Sequence, residues 1–299
     1  MKYTLAFLIV LLFTLSVTAQ TFTQNEIIYG RKDGLAMTMV RLTPAANAND
    51  KAIIFVVSGN WRSSYAGRPA ERLKPFLDKG YTVFEVIHGS QPKYTIAEAL
   101  SDVQRAVRFI KFNAKEYNID PDRIGITGAS AGGHLSLMIG LMNGEGVESS
   151  RDPVNKLSSK VKAVAVFFPP TNFMLWGEIK DPFRNPGILK ATNMIATFDF
   201  KVWDSAIGNY SSIRDTTVLK RMVSDLSPIT HVTPDDPPVF IYHGDKDRVV
   251  PLQQSQVLLA AMKEKKVPVE LKIKQGADHG WLEMYGELVF FIKWFDKYL

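Results

Sequence analysis

Cysteine is absent from the 299-residue sequence. That absence excludes disulfides, thiolate metal sites, a cysteine nucleophile and a lipid-anchoring cysteine. Charge of one sign is also scarce. The 36 Lys and Arg stand against 30 Asp and Glu, a net +6, and they are scattered without the basic stripe that nucleic-acid binding needs. After Leu15 no run is long and apolar enough for a bilayer span of roughly 20 residues, so stable membrane insertion is not expected. Internal repeats and low-complexity tracts are missing as well. What remains is an ordinary globular composition, 46% hydrophobic with 20 Gly and 16 Pro, which excludes collagen-like, coiled-coil and disordered chains.

The first segment is special. Met1-Lys2-Tyr3 leads into an apolar run from Leu5 to Leu15, then Ser16-Val17-Thr18-Ala19 before Gln20. A basic start, a short apolar core and small residues before a cut describe a secretory signal peptide. Residues 1–19 are therefore expected to be removed, leaving residues 20–299 as one exported domain, periplasmic or secreted.

Along that domain apolar β-branched runs alternate with helical patterns. Strands are predicted at Glu26–Tyr29, Ala36–Leu42, Ala52–Val57, Thr82–Ile87, Arg123–Thr127, Val161–Phe167, Val239–Tyr242 and Val269–Lys274. Helical spacing fits Pro69–Lys79, Ile96–Tyr117, Gly132–Met142, Leu252–Lys265 and Gly280–Lys297. Runs such as Ile53-Ile54-Phe55-Val56-Val57 are apolar throughout, as in parallel strands covered on both faces. The first two strands alternate more and suit an antiparallel start. The pattern predicts an α/β fold with a mostly parallel central sheet flanked by helices. Residues about 170–227 interrupt it with several aromatics, Gly and Pro. A structureless loop of that length is improbable, so a small helical cap-like insertion is expected there.

The chemistry-bearing motif is Gly128-Ala129-Ser130-Ala131-Gly132, a G-x-S-x-G between a strand pattern and a helix pattern. A serine raised on so tight a turn needs small neighbours, and the following helix N-terminus favours developing negative charge beside it. Ser130 is the expected nucleophile. It needs a base, and the base needs a carboxylate to orient it. Of five histidines, His279 sits between the last strand and last helix in Asp278-His279-Gly280, where flanking glycines free the loop. His134 is expected to pack beneath the serine turn, and His243 to hold the loop that follows it. His88, after a strand, is a pocket candidate, and His231 has no evident partner. Two aspartates compete as the acid in Gly244-Asp245-Lys246-Asp247. Asp245 is placed to cap the turn, while Asp247, further out, is favoured to reach His279. The order Ser130, Asp247, His279 is that of an α/β-hydrolase.

These residues resemble the α/β-hydrolase superfamily and, within it, the secreted esterase and acetylesterase group related to feruloyl and acetyl-xylan esterases. The likeness runs through Asp120-Pro121-Asp122-Arg123-Ile124-Gly125, Ser130-Ala131-Gly132-Gly133-His134, His243-Gly244-Asp245-Lys246-Asp247 with Val250-Pro251, and Asp278-His279-Gly280. It implies a serine carboxylic-ester hydrolase acting on acetyl or other acyl esters of carbohydrates, with no metal or cofactor. Partners would be small-molecule or oligosaccharide esters; oligomeric state is left open. One segment departs: where such esterases carry a His-Gly-Gly-Gly-Trp-like stretch, this chain reads Val57-Ser58-Gly59-Asn60-Trp61-Arg62. Backbone amides make the oxyanion hole, so Gly59 and Asn60 are expected to serve with Ala131; Asn tolerates left-handed angles. Trp61 and the insertion aromatics, Trp176 and Trp203 among them, are candidates for an apolar substrate wall with His88. Two rivals stand beside this reading. One is a peptidase like the catalytic domain of prolyl oligopeptidases, though the chain lacks room for their propeller. The other is a non-catalytic binding protein on the same scaffold.

Overall fold

The computed structural model of the chain describes residues 22–180 and 186–299; the expected signal peptide, residues 1–19, lies outside them. The central sheet has eight strands. They are β1 (Phe22–Lys32), β2 (Leu35–Pro44), β3 (Ala52–Val57), β4 (Thr82–Ile87), β5 (Ile124–Ala129), β6 (Ala163–Phe167), and, beyond the insertion, β11 (Val239–Gly244) and β12 (Val269–Lys274), in the spatial order β1-β2-β4-β3-β5-β6-β11-β12. The β1–β2 hairpin and the β2–β4 pair are antiparallel; every pairing from β4 to β12 is parallel. The hairpin turns at Asp33-Gly34, both at positive φ, as a primed turn requires.

Side chains of β3 explain its unbroken apolar run. Ile54 and Val56 enter one core with Val103, Val107 and Leu135. Ile53, Phe55 and Val57 enter another with Phe76, Phe291 and Phe295. A period of two thus feeds both faces of a doubly covered sheet. The first face carries α2 (Ile96–Phe112), short α3 (Ala114–Tyr117), α4 (Ala131–Leu141) and α7 (Gln253–Glu264); the second carries α1 (Lys74–Asp78) and α8 (Val289–Tyr298). Helix α2 starts at a capping box in which the Thr95 amide donates to Glu98 Oε2 at 2.8 Å. All eleven residues of α4 are buried. This is the α/β-hydrolase fold. Among the described residues no helix is long and apolar enough to cross a membrane.

Three helices depart from the spacing. The predicted Pro69–Lys79 helix is a 3₁₀ turn, Ala70–Leu73, running into the short α1. The predicted Ile96–Tyr117 helix divides at Asn113, whose Nδ2 donates to the Phe109 carbonyl at 2.8 Å and competes with the backbone ladder. The predicted Gly280–Lys297 helix begins only at a 3₁₀ turn, Gly286–Leu288, ahead of α8. Gly280 has φ 88° and Asp278 bridges to Gly280, so this stretch shapes a loop instead.

Residues 170–227 hold α5 (Pro186–Ala191) and α6 (Thr216–Asp225), and add two ribbons that the sequence pattern did not separate: β7 (Leu175–Trp176) with β8 (Ile179–Lys180), and β9 (Lys201–Asp204) with β10 (Asn209–Ser212). Gln254 of α7 fastens one end. Its Oε1 accepts from the Thr171 and Asn172 amides at 2.9 and 2.7 Å, and its Nε2 donates to the Leu175 carbonyl at 2.6 Å. Ser227 fastens the other, its Oγ accepting from the Phe173 amide at 3.0 Å. Phe173, Met194, Phe198 and Phe200 join the first core, so the segment is packed onto the sheet domain.

Candidate active site

Strand β5 runs to Ala129 and α4 starts at Ala131, which leaves Ser130 alone on the turn between them. Its φ of 54° and ψ of −120° are strained for a residue with a side chain. The turn survives because its backbone is tied on both sides: the Ser130 amide donates to the Phe167 carbonyl at 3.0 Å, and the His134 amide to the Ser130 carbonyl at 2.8 Å. Glycine is obligatory beside it. A Cβ on Gly128 would sit 2.5 Å from the Gly132 carbonyl carbon, and one on Gly132 would sit 2.5 Å from the Val56 oxygen.

The C-terminal ends of β11 and β12 bring in the other two groups. His279 Nε2 lies 3.0 Å from Ser130 Oγ, and His279 Nδ1 lies 2.8 Å from Asp247 Oδ2. His279 Nδ1–H donates to the carboxylate, so Nε2 is left to accept from the serine hydroxyl. Asp247 is fully buried and His279 partly exposed. Burial by itself would raise the Asp247 carboxyl. Hydrogen bonds from His243 and His279, the His279 charge and the Val250 amide hold it instead well below the usual carboxylate range. Two backbone amides, Val249 and Val250, donate to its Oδ1 at 2.9 and 2.8 Å. The competing Asp245 accepts from the Gly276 amide at 2.6 Å and holds the turn. His243, fully buried, spans Ser255 Oγ at 2.6 Å, the Val250 carbonyl at 2.9 Å and Asp247 Oδ2 at 3.2 Å. The Phe168 ring packs 4.5 Å from the His279 ring, centre to centre.

Past the C-terminal end of β3 lies a two-residue turn. Gly59 and Arg62 exchange both backbone hydrogen bonds at 2.9 Å, and Asn60 and Trp61 between them have φ of 50° and 53°. That is primed-turn geometry, and it corrects one expectation. The Gly59 amide is spent on the Arg62 carbonyl and is not a free donor. Among the described residues no acceptor faces the amides of Asn60 or Ala131. A cavity of about 340 Å³ opens between Ser58, Gly59, Arg62, Ala129 and Tyr285, beside the residue that precedes Ser130. Larger hollows lie elsewhere. One, about 890 Å³, sits by Val161 and Pro238 at the starts of β6 and β11, the far edge of the sheet.

The four pocket candidates are dispersed. Trp61 is 3% exposed, its ring turned inward onto His134, Phe173 and Phe198, because positive φ aims the side chain at the core. His88 is buried; its Nδ1 donates to the Gly89 carbonyl at 2.7 Å, and burial pushes it down to about 4. Trp176 lies half-buried, stacked on Phe173. Trp203 is 55% exposed on the β9–β10 ribbon against Tyr210. His134 does pack beneath the serine turn, fully buried, and His231 Nε2 donates to the Asp225 carbonyl at 2.7 Å. Sequence reasoning missed Tyr285, which the continuous last helix concealed. It also missed Gln91, whose only signal was its place after a strand on the same sheet edge.

Known proteins are similar to this chain. The esterase LipQ of Mycobacterium tuberculosis is 26% identical over 196 residues, 63% of this chain and 39% of that protein. An acetylxylan esterase of Xylanibacter ruminicola is 29% identical over 132 residues, 44% of this chain and 27% of that one. The chain spans only about two fifths of the length of the first curated relatives it matches. A solved truncated carbohydrate esterase from gut microbiota superposes with a TM-score of 0.72 at 26% identity, covering 93% of this chain and 98% of its own. Residues 40–262, well over half the sequence and containing Ser130 and Asp247, match the BD-FAE family, and the chain belongs to it.

Proposed function

We propose that this protein is a serine carboxylic-ester hydrolase acting on acetyl or other small acyl esters of carbohydrates. The observation that carries the reading is the unbroken hydrogen-bonded line from Ser130 Oγ through His279 to the buried Asp247. Its chemistry is two-step acyl transfer. Ser130 Oγ attacks the ester carbonyl carbon while its proton passes to His279 Nε2, and Asp247 stabilises the imidazolium. The oxyanion rests on the amides of Ala131 and Asn60, neither of which meets an acceptor among the described residues. His279 returns the proton to the leaving alcohol, and a water deprotonated by His279 then releases the acyl group. The relatives named for acetylxylan and carbohydrate esters support a sugar-borne alcohol. The leader-like first 19 residues support action outside the cytoplasm; the exported protein would begin at Gln20.

The test is hydrolysis of acetyl, butyryl and feruloyl esters, acetylated xylo-oligosaccharides among them, by the wild type and Ser130→Ala, with fluorophosphonate labelling of both. Loss of turnover and labelling together in the variant is expected. Undiminished hydrolysis would overturn the reading. Peptide-amide turnover equal to ester turnover would favour the peptidase, and an unlabelled wild type the binding protein.

A further inference from the structure

The turn past the C-terminal end of β3 is not held by its own strand alone. Its carbonyl and side chain at Asn60 are bonded to the inserted segment and to one buried glutamine. Asn60 Nδ2 donates to the carbonyls of Thr192 and Asn193, both at 3.3 Å. Gln91 Nε2 donates to the Asn60 carbonyl at 2.9 Å and to the Asn193 carbonyl at 3.1 Å. The Gln91 amide also points at the Trp61 carbonyl, at 3.4 Å. Gln91 is 6% exposed. One carboxamide therefore joins two segments some hundred residues apart, with both of its amide hydrogens in use.

On the insertion side the acceptors are firmly presented. Asn193 takes φ 55° just after α5. Its amide closes back on the Lys190 carbonyl at 3.1 Å, and the Met194 amide closes on Leu189 at 2.8 Å. This is a left-handed helix stop that leaves the outer carbonyls pointing away from the helix. On the other side, two consecutive non-glycine residues sit at positive φ, a strained conformation. Asn60 and Trp61 keep that conformation only while surrounding contacts over-determine it. The Asn60–Gln91–Asn193 contacts are such a restraint.

We propose that Gln91 is a positioning residue, the latch through which the seating of the inserted segment at 192–193 sets the geometry of the Asn60 amide that the esterase reading assigns to the oxyanion hole. When the segment lifts, Asn60 loses the acceptors of its side chain and the shared carboxamide loses one of its two bonds, so the strained turn relaxes. When the segment seats, the turn is restored. Activity is then coupled to the position of the insertion without any insertion residue touching the reacting atoms. This inference rests on the esterase reading for its kinetic consequence but not for its structural one.

Two readouts separate them. Gln91→Leu removes both donors while keeping bulk; Gln91→Met is a second such variant. In steady-state hydrolysis of a small soluble ester, kcat is expected to fall on the order of 10- to 100-fold while KM moves less than about threefold. In hydrogen exchange, which needs no turnover, the amides of residues 59–62 and 190–195 are expected to lose protection together in the variants. Unchanged kcat in a folded variant, or protection lost in one segment without the other, overturns the latch. Exchange decides the matter even if the wild type turns over no ester, a result that would sink the esterase reading alone. Failure of both variants to fold would make Gln91 a purely structural residue and also overturn the proposal.

Discussion

Trp61 Nε1 donates to His134 Nδ1 at 3.2 Å, and His134 Nε2 in turn donates to the Leu226 carbonyl at 2.8 Å. The bond fixes His134 as the Nε2–H tautomer and ties the strained turn to the helix that Ser130 starts. It thereby links the Asn60 side of the site to the Ala131 side through the core. Trp61→Phe keeps an aromatic ring in place but leaves His134 Nδ1 buried without a donor. A loss of about 1–3 kcal/mol is expected, read by urea denaturation, with kcat reduced more than KM is raised.

His243 acts on the acid from behind. Its Nε2 hydrogen is shared between the Val250 carbonyl and Asp247 Oδ2, so it presses the loop and the carboxylate into one position. His243→Leu leaves Ser255 and Val250 without partners and removes one of the donors that keep Asp247 ionised. We expect a decrease in kcat on the order of tenfold with a stability loss of about 2 kcal/mol. Asp247→Asn, which presents the wrong group to His279 Nδ1, should cost on the order of 10⁴-fold. Equal losses in the two would contradict a supporting role for His243.

Much of this arrangement is legible in the chain. Strands β3 and β4 fall where their apolar runs and bounding turns place them, because burial on both faces leaves an unmistakable pattern; β12, the exposed edge strand, is legible from its alternation of apolar and polar residues. Ser130, Asp247 and His279 are recognisable because each sits just past a strand's C-terminal end, and parallel strands deliver all three to one edge. What sequence hides is conformation that neighbours decide. Nothing in Gly59-Asn60-Trp61 says that the first amide turns to Arg62 or that the indole turns inward; both follow from positive φ at the two middle residues. The spacing starts the last helix nine residues too early because apolar positions continue through Trp281 and Met284, whereas Gly280 and the 3₁₀ turn shape a loop there. Gln91 carries no motif at all. Its role exists only once residues 60 and 193 meet.

Two buried histidines make stability pH-dependent. Burial pushes both His88 and His134 from 6.5 down to about 4, despite carbonyl hydrogen bonds that work the other way. The folded chain thus keeps them neutral where the unfolded chain would protonate them. Their contribution is complete above pH 6.5 and is lost as pH falls toward 4, at about 1.4 kcal/mol per pH unit for each. Buried Glu85 and Asp102 are raised and act in the opposite sense, so a single substitution is needed to isolate the effect. His88→Asn keeps a donor for the Gly89 carbonyl and removes one titration. Urea midpoints between pH 7.5 and 5.5 should fall less steeply in this variant than in the wild type, by about half the histidine slope. An identical slope would remove His88 from the account.

The glycines around Ser130 give the sharpest contrast available within one loop system. At Gly132 an added Cβ meets the Val56 carbonyl oxygen at 2.5 Å, a backbone atom that cannot swing aside as a flexible side chain would. At Gly59 an added Cβ meets nothing within 4 Å, and its φ is not in the left-handed range. Gly132→Ala must therefore move α4 away from β3, shifting the Ala131 amide and Ser130 together, at a cost of about 1–3 kcal/mol for overpacking. Gly59→Ala should change stability by no more than about 0.5 kcal/mol. Its amide stays on Arg62 and keeps the turn closed. Thermal melts of the two variants decide the matter: a comparable loss in Gly59→Ala would mean that the turn has less freedom than its geometry gives it, and an unperturbed Gly132→Ala that the serine turn has more.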